Sequence, residues 1–263
     1  MCVDEGKAPV VINRRQFSVL GLGAAATALS AGPAARGHRP VVRNAVLVHG
    51  AYADGSSWSK VIALLQAAGM NVIAVQNPLT SLADDVAATK FALSQLDGPT
   101  VLAAHSYGGT VISQMGLDPK VTGLVYVAAR APEAGEDFAA LAAKFPTPAV
   151  NSGIISADGF KYLSQSAFLG DFANGVPRRE ALELYAAQGP LAAAPPTTSI
   201  AAWHKKPSWY AVSKKDRTIA PELERFMAKR MKATTIEVDA GHLSLVTHPK
   251  VISRVILQAA VRP

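Results

Sequence analysis

Thr100-Val101-Leu102-Ala103-Ala104-His105-Ser106-Tyr107-Gly108-Gly109 decides the fold. Thr100 to Ala104 reads as a short buried strand, and Tyr107 to Leu117 as a helix. Between them a serine stands on a tight strand-to-helix turn, in the pattern small-x-Ser-x-Gly. So sharp a turn strains the serine backbone. It also needs small residues two before and two after, here Ala104 and Gly108, so that strand and helix can approach. Ala104 replaces the commoner glycine, and a methyl group is the smallest such departure. Ser106 then projects its hydroxyl at a helix amino terminus, where the dipole favours developing negative charge. Without chemistry, the same serine is a helix cap.

The strand–helix beat runs outward from this turn. Before it come a strand at Asn44–Val48, a helix from Ser56 to Ala68 stopped by Gly69, a strand at Asn71–Val75 and a helix from Ser81 to Leu96. Asp84 and Asp85 stand in the early turns of that last helix, where carboxylates favour its dipole. After the turn come strands at Gly123–Val127, Ser208–Val212 and Thr234–Val238, with helices at Pro221–Met231 and Pro249–Ala260. Six apolar strands without alternating polarity, set among helices, predict an α/β fold: a doubly wound, mainly parallel six-stranded sheet covered on both faces. Ligands then sit at the carboxyl ends of its strands. From 131 to 207 the beat breaks. The chain is rich in Ala, Pro and Gly, with short helical stretches such as Arg178–Gln188. This segment is expected to lie over the strand ends as an inserted helical lid. The core is then 39–130 and 208–263.

Residues 1–38 read as an address. Arg14-Arg15 precedes an uncharged stretch from Gln16 to Ala35, and small residues gather at Ala31, Ala34 and Ala35. A basic start, an uncharged middle and a small-residue exit define a secretory signal, and the arginine pair resembles a twin-arginine export signal. The Ala/Gly run is poorer in Leu, Ile and Phe than a spanning helix. The expected partner is the twin-arginine export machinery. The mature protein is expected in the periplasm or secreted, without stable membrane insertion.

Composition narrows the function. Of 263 residues, 49% are hydrophobic and 17% charged, which excludes a disordered chain. A single cysteine, Cys2, excludes a disulfide scaffold and any cysteine-ligated metal. The net charge is +7; beyond residue 38 there remain 22 basic and 17 acidic residues, a charge of +5. The basic residues are scattered, with pairs such as Lys205-Lys206 and Lys214-Lys215, and aromatics are 6%. That is not the basic stripe with interleaved aromatics of a nucleic-acid partner.

A serine is a weak nucleophile at neutral pH and needs a base. His242, after the sixth strand, sits at the carboxyl edge, and Asp216 follows the fifth strand. The order Ser106…Asp216…His242 is that of a nucleophile–acid–base triad. Asp239 competes as the acid and His248 as the base. His38 lies in the signal, His105 should be pointed away by the turn, and His204 ends the lid. His49-Gly50-Ala51, after the first strand, forms a turn in which His49 has a structural role. The amides of Ala51 and Tyr107 are positioned to bind an oxyanion. Tyr52, Phe145 and Trp203 are pocket candidates, although lid aromatics mostly form lid core. No metal or organic cofactor is called for.

From Val46-Leu47-Val48-His49-Gly50 to Gly241-His242 the chain resembles the α/β-hydrolase superfamily. Val48-His49-Gly50-Ala51…Trp58 is similar to the small six-strand branch of plant methylesterases, salicylate-binding esterases and hydroxynitrile lyases. Lyases of that branch carry Thr after the first-strand His and Lys after the catalytic His; here these are Gly50 and Leu243. The resemblance implies a carboxylesterase acting through an acyl-enzyme on small, uncharged or aromatic esters, with lactones and thioesters open to the same chemistry. The alternatives are a carbon–carbon lyase and a small-molecule binding protein on the same fold.

Overall fold

The computed structural model describes residues 42–194 and 196–261. All lie in the compact unit 38–263. The export signal expected at 1–38 falls outside the described residues. Among those described, no helix is long and apolar enough to cross a membrane.

In chain order the elements are β1 (Asn44–Val48), α1 (Ser59–Ala67), β2 (Asn71–Ala74), α2 (Leu82–Ser94), β3 (Thr100–His105), α3 (Gly108–Met115) and β4 (Val121–Val127). Then come α4 (Phe138–Ala142), β5 (Ile154–Ala157), β6 (Phe160–Leu163), α5 (Gln165–Ala167), α6 (Arg178–Ala186) and β7 (Leu191–Ala192). The beat resumes with β8 (Ser208–Ser213), α7 (Pro221–Arg230), β9 (Thr234–Val238), α8 (Ser244–Thr247) and α9 (Pro249–Val261).

Six strands form one sheet in the order β2-β1-β3-β4-β8-β9. Every neighbouring pair is parallel. All residues of β1 and β3 are buried, as a sheet covered on both faces requires. The edge strands β2 and β9 keep exposed positions. Helix α1 packs on α9, and α2 on α3. Trp58, Leu47, Leu65, Leu102, Ile112 and Leu124 are fully buried, each worth roughly 1.5–3 kcal/mol of apolar transfer. The chain passes from β1 outward to β2, then back across β1 to β3. The strand order therefore reverses between β1 and β3, where the doubly wound sheet opens its crevice. Their carboxyl ends carry the His49 turn and Ser106.

Most element ends fall within two residues of the sequence expectation, as fraying ends do, and α1 begins three residues late, after a 3₁₀ turn at Gly55–Trp58. The larger difference lies between β4 and β8. The composition of that segment predicts a helical lid, yet β5, β6 and β7 form a three-stranded antiparallel sheet. Asp158 and Gly159 turn the β5–β6 hairpin with φ of 50° and 80°. Asp-Gly is the pair that tolerates positive φ at both central positions of a two-residue turn.

Candidate active site

Three strand ends bring three side chains together. Ser106 follows β3, Asp216 follows β8 and His242 follows β9. The Ser106 hydroxyl lies 2.9 Å from His242 Nε2, and His242 Nδ1 lies 2.6 Å from Asp216 Oδ2. A carboxylate only accepts, so Nδ1 carries the proton and donates it. Nε2 of the neutral ring is then free to accept from the serine. The other Asp216 oxygen accepts from the amides of Thr218 and Ile219, at 2.6 and 2.9 Å, which fixes the carboxylate plane. His242 is 0% exposed and Ser106 5%.

The turn is built as its sequence demands. Ser106 has φ of 53°, a left-handed conformation rare for a residue with a Cβ. The amides of Gly109 and Arg130 both donate to the Ser106 carbonyl at 3.0 Å and hold it there. A Cβ on Gly108 would stand 2.7 Å from the carbonyl oxygens of Val48 and His49. The small residue is therefore required by close contact with β1. Asp239 instead pairs with Lys214 and Lys215 at the surface, at 3.7 and 2.8 Å. His248 bonds the Thr247 hydroxyl at 2.9 Å, and His204 pairs with Glu133 at 2.8 Å.

The turn after β1 faces Ser106. His49 Nδ1 donates to the Gly50 carbonyl at 2.8 Å, and Nε2 accepts from the Asn77 amide at 2.8 Å. Burial lowers the His49 pKa, which favours this neutral form. Among the described residues no hydrogen bond engages the amide of Ala51 or of Tyr107. His105, expected to be turned away, contacts His242 directly: the rings are 4.5 Å apart, and Nε2 donates to the His242 carbonyl at 3.1 Å. Burial first, then the His242 charge, pushes the His105 pKa well down. His105 thus braces His242 without adding a positive charge beside it.

A cavity of about 510 Å³ opens near this turn, and none of Ser106, Asp216 and His242 is among its lining residues. Its wall includes Tyr52, Arg130, Phe138, Thr218 and Ile219. Four of these adjoin parts already described, for Tyr52 follows Ala51, Arg130 holds the Ser106 carbonyl, and Thr218 and Ile219 hold Asp216. Phe172 packs over His242 with ring centres 5.1 Å apart, and edge-on to Tyr52 at 6.1 Å. Of the three pocket candidates, only Tyr52 is in this wall. Phe145 packs on the exposed Phe226, at 5.5 Å. Trp203 is drawn into the core because its indole N–H finds the Pro132 carbonyl at 3.0 Å.

The sequence model of the α/β hydrolase family matches residues 45–255. The chain belongs to the α/β hydrolase family. Among solved structures, polyneuridine aldehyde esterase superposes with a TM-score of 0.70 at 16% identity, covering 82% of this chain and 98% of that one. A pyrethroid hydrolase from Sphingobium faniae gives 0.69 at 20% identity, covering 84% and 98%. An extracellular α/β-hydrolase from a Paenibacillus species, described as sharing structural and functional homology with tobacco salicylic acid binding protein 2, gives 0.66 at 20%, covering 82% and 98%. At such identities the likeness is one of fold. No protein of curated function matches the chain.

In this α/β hydrolase, two buried acids carry weight that the sequence did not reveal. Asp85, expected only to face a helix dipole, is fully buried. It accepts from the Tyr107 hydroxyl at 2.6 Å and from the Leu79 amide at 2.8 Å, tying the residue after Ser106 to α2. Glu224 on α7 is also fully buried. Its Oε2 accepts from the Ser213 amide at 3.0 Å, while Oε1 is buried without a hydrogen-bond partner. Burial, then the Asp216 charge, pushes the Glu224 carboxyl well above the ordinary carboxylate range, which favours the neutral acid near Asp216. A carboxyl raised on folding contributes stability that is complete below its ordinary value and lost as pH rises through the folded value. Glu224→Gln keeps the size and an oxygen to accept from the Ser213 amide, and cannot ionise. The Tm of the variant minus that of the wild type is expected to grow more positive from pH 4 to pH 9 in thermal scans. A change of 1 kcal/mol moves Tm by about 2–4 °C at this size. A pH-independent difference would mean that Glu224 is ionised in the folded protein.

Proposed function

We propose that the protein is a serine hydrolase that cleaves carboxylic esters through an acyl-enzyme. The observation that carries this reading is the 2.9 Å hydrogen bond between Ser106 and His242, with Asp216 behind the ring. In the first half-reaction Ser106 Oγ attacks the ester carbonyl carbon while its proton passes to His242 Nε2. Asp216 stabilises the imidazolium. The oxyanion is taken by the Ala51 and Tyr107 amides, each worth about 3 kcal/mol of barrier. The carbon–alkoxy bond then breaks, and Nε2–H protonates the leaving alcohol. In the second half, water gives a proton to Nε2 and attacks the acyl carbon. The acid leaves and Ser106 recovers its proton.

The free state of the two amides supports this assignment. So does the name of polyneuridine aldehyde esterase, a protein of the same fold. Gly50 weighs against the lyase alternative, because a Cβ there would stand 2.6 Å from Ser106 Cβ. The threonine of the lyase pattern has no room at that position. On the same reading, the signal at 1–38 sends the folded chain out by the twin-arginine route, so the ester is met in the periplasm or outside the cell.

The test is covalent. A fluorophosphonate should add one phosphonyl group per chain, at Ser106 by peptide mass. 4-Nitrophenyl acetate should give sustained turnover. An unmodified chain, or a burst with no steady state, would overturn the reading; the burst alone would point to a binding protein on this fold.

A further inference from the structure

The cavity carries a cation that nothing among the described residues neutralises. Arg130 lies in its wall with the guanidinium 4.8 Å above the Phe138 ring. Its Nε is buried without a hydrogen-bond partner. Burial pulls the Arg130 pKa down, and the opposing groups are the hydroxyls of Tyr52 and Tyr107. Burial raises both of these, so they are neutral phenols. A second cation, Lys161, shares the wall. Among the described residues neither Arg130 nor Lys161 makes an ion pair. The carboxylate in the wall, Asp137, has its Oδ1 bound to the amides of Ala139 and Ala140, at 2.9 and 3.0 Å.

A half-buried guanidinium whose Nε is closed off from water is costly unless an anion meets it. A buried polar atom left without a partner in a cleft therefore points to a ligand. The rest of the wall is largely Ala, Pro, Ile and Leu, which suits an alkyl chain or ring carrying one charged end. The guanidinium fork matches a carboxylate with two parallel N–H donors. Arg130 also holds the Ser106 carbonyl through its own amide, so the side chain that reaches the cavity is rooted at the serine turn. We propose that Arg130, assisted by Lys161, binds an ionised carboxylate on the substrate, so that the preferred esters carry a second, anionic carboxyl group. This rests on the serine-hydrolase reading and replaces the uncharged esters expected from the sequence.

Two matched pairs of esters test it. Mono-4-nitrophenyl adipate against 4-nitrophenyl hexanoate places the charge on the acyl side. 4-Acetoxybenzoate against 4-methylphenyl acetate places it on the alcohol side. The wild type should favour the charged member of at least one pair by tenfold or more in kcat/KM. That ratio should fall at least tenfold in Arg130→Gln and recover in part in Arg130→Lys, which keeps charge without the fork. The KM of the favoured charged ester should rise with ionic strength while that of its neutral partner does not. Wild-type ratios near one in both pairs would overturn the proposal without any variant, and so would a ratio unchanged in Arg130→Gln. If the neutral esters are turned over and Ser106 is labelled while both ratios stay near one, this inference falls and the serine-hydrolase reading stands. If no ester of either kind is turned over, that reading falls first.

Discussion

Ser106→Ala is expected to lower kcat for 4-nitrophenyl acetate by a factor on the order of 10⁶, as removing the nucleophile from a triad does. The expectation follows from how little the substitution disturbs. Alanine keeps the Cβ and the left-handed backbone at φ 53°. It also keeps the two amides that hold the Ser106 carbonyl. The variant should therefore fold with a Tm close to that of the wild type, and the loss will read chemistry rather than collapse. Some acceleration over water should survive, because the Ala51 and Tyr107 amides and the cavity are intact. Turnover within tenfold of the wild type would show that Ser106 is a helix cap and that the reacting group lies elsewhere.

The parts visible in the sequence are those fixed by local rules. A strand, a tight turn and a helix follow one another in ten residues around Ser106, and the need for small residues there is steric. The six-strand beat is legible because both-face burial removes polar alternation from β1, β3 and β4. The small antiparallel sheet is also written in the chain, at Asp158-Gly159 between two short apolar runs, but the low-contrast Ala/Pro/Gly composition around it hides the hairpin. Glu224, Asp85 and Arg130 are not legible. On α7, helical spacing sets Glu224 beside Leu223, Met227 and Ala228 on the buried face and away from Glu222, but a carboxyl ordinarily reads as surface. Phe145 and Trp203 lie outside the cavity wall, and sequence does not place them, since an aromatic residue between 131 and 207 can face the cavity or the core. Trp203 goes where its N–H is satisfied.

Asp216→Asn is expected to cost about 10⁴-fold in kcat, while Asp239→Asn should stay near the wild type, measured with the same ester. Both acids follow strands, and chain order alone does not separate them. The geometry does. Asp216 Oδ2 is 2.6 Å from His242 Nδ1. An asparagine oxygen could accept there, but the neighbouring amides of Thr218 and Ile219 already require an acceptor at the other position. An amide side chain has one oxygen and one NH₂. If the oxygen serves those two amides, the NH₂ faces His242 and forces Nδ1 to accept. Nε2 then carries the proton and cannot take the one from Ser106. Among the described residues the Asp239 carboxylate pairs with Lys214 and Lys215 at the surface, where water screens an exposed ion pair and its removal changes little. In the Asp216→Asn variant the His242 ring is still in place and only its tautomer is wrong, so raising the pH, with hydroxide as base, should recover part of the lost rate. A loss confined to Asp239→Asn, or no loss in Asp216→Asn, would reassign the acid and with it the tautomer of His242.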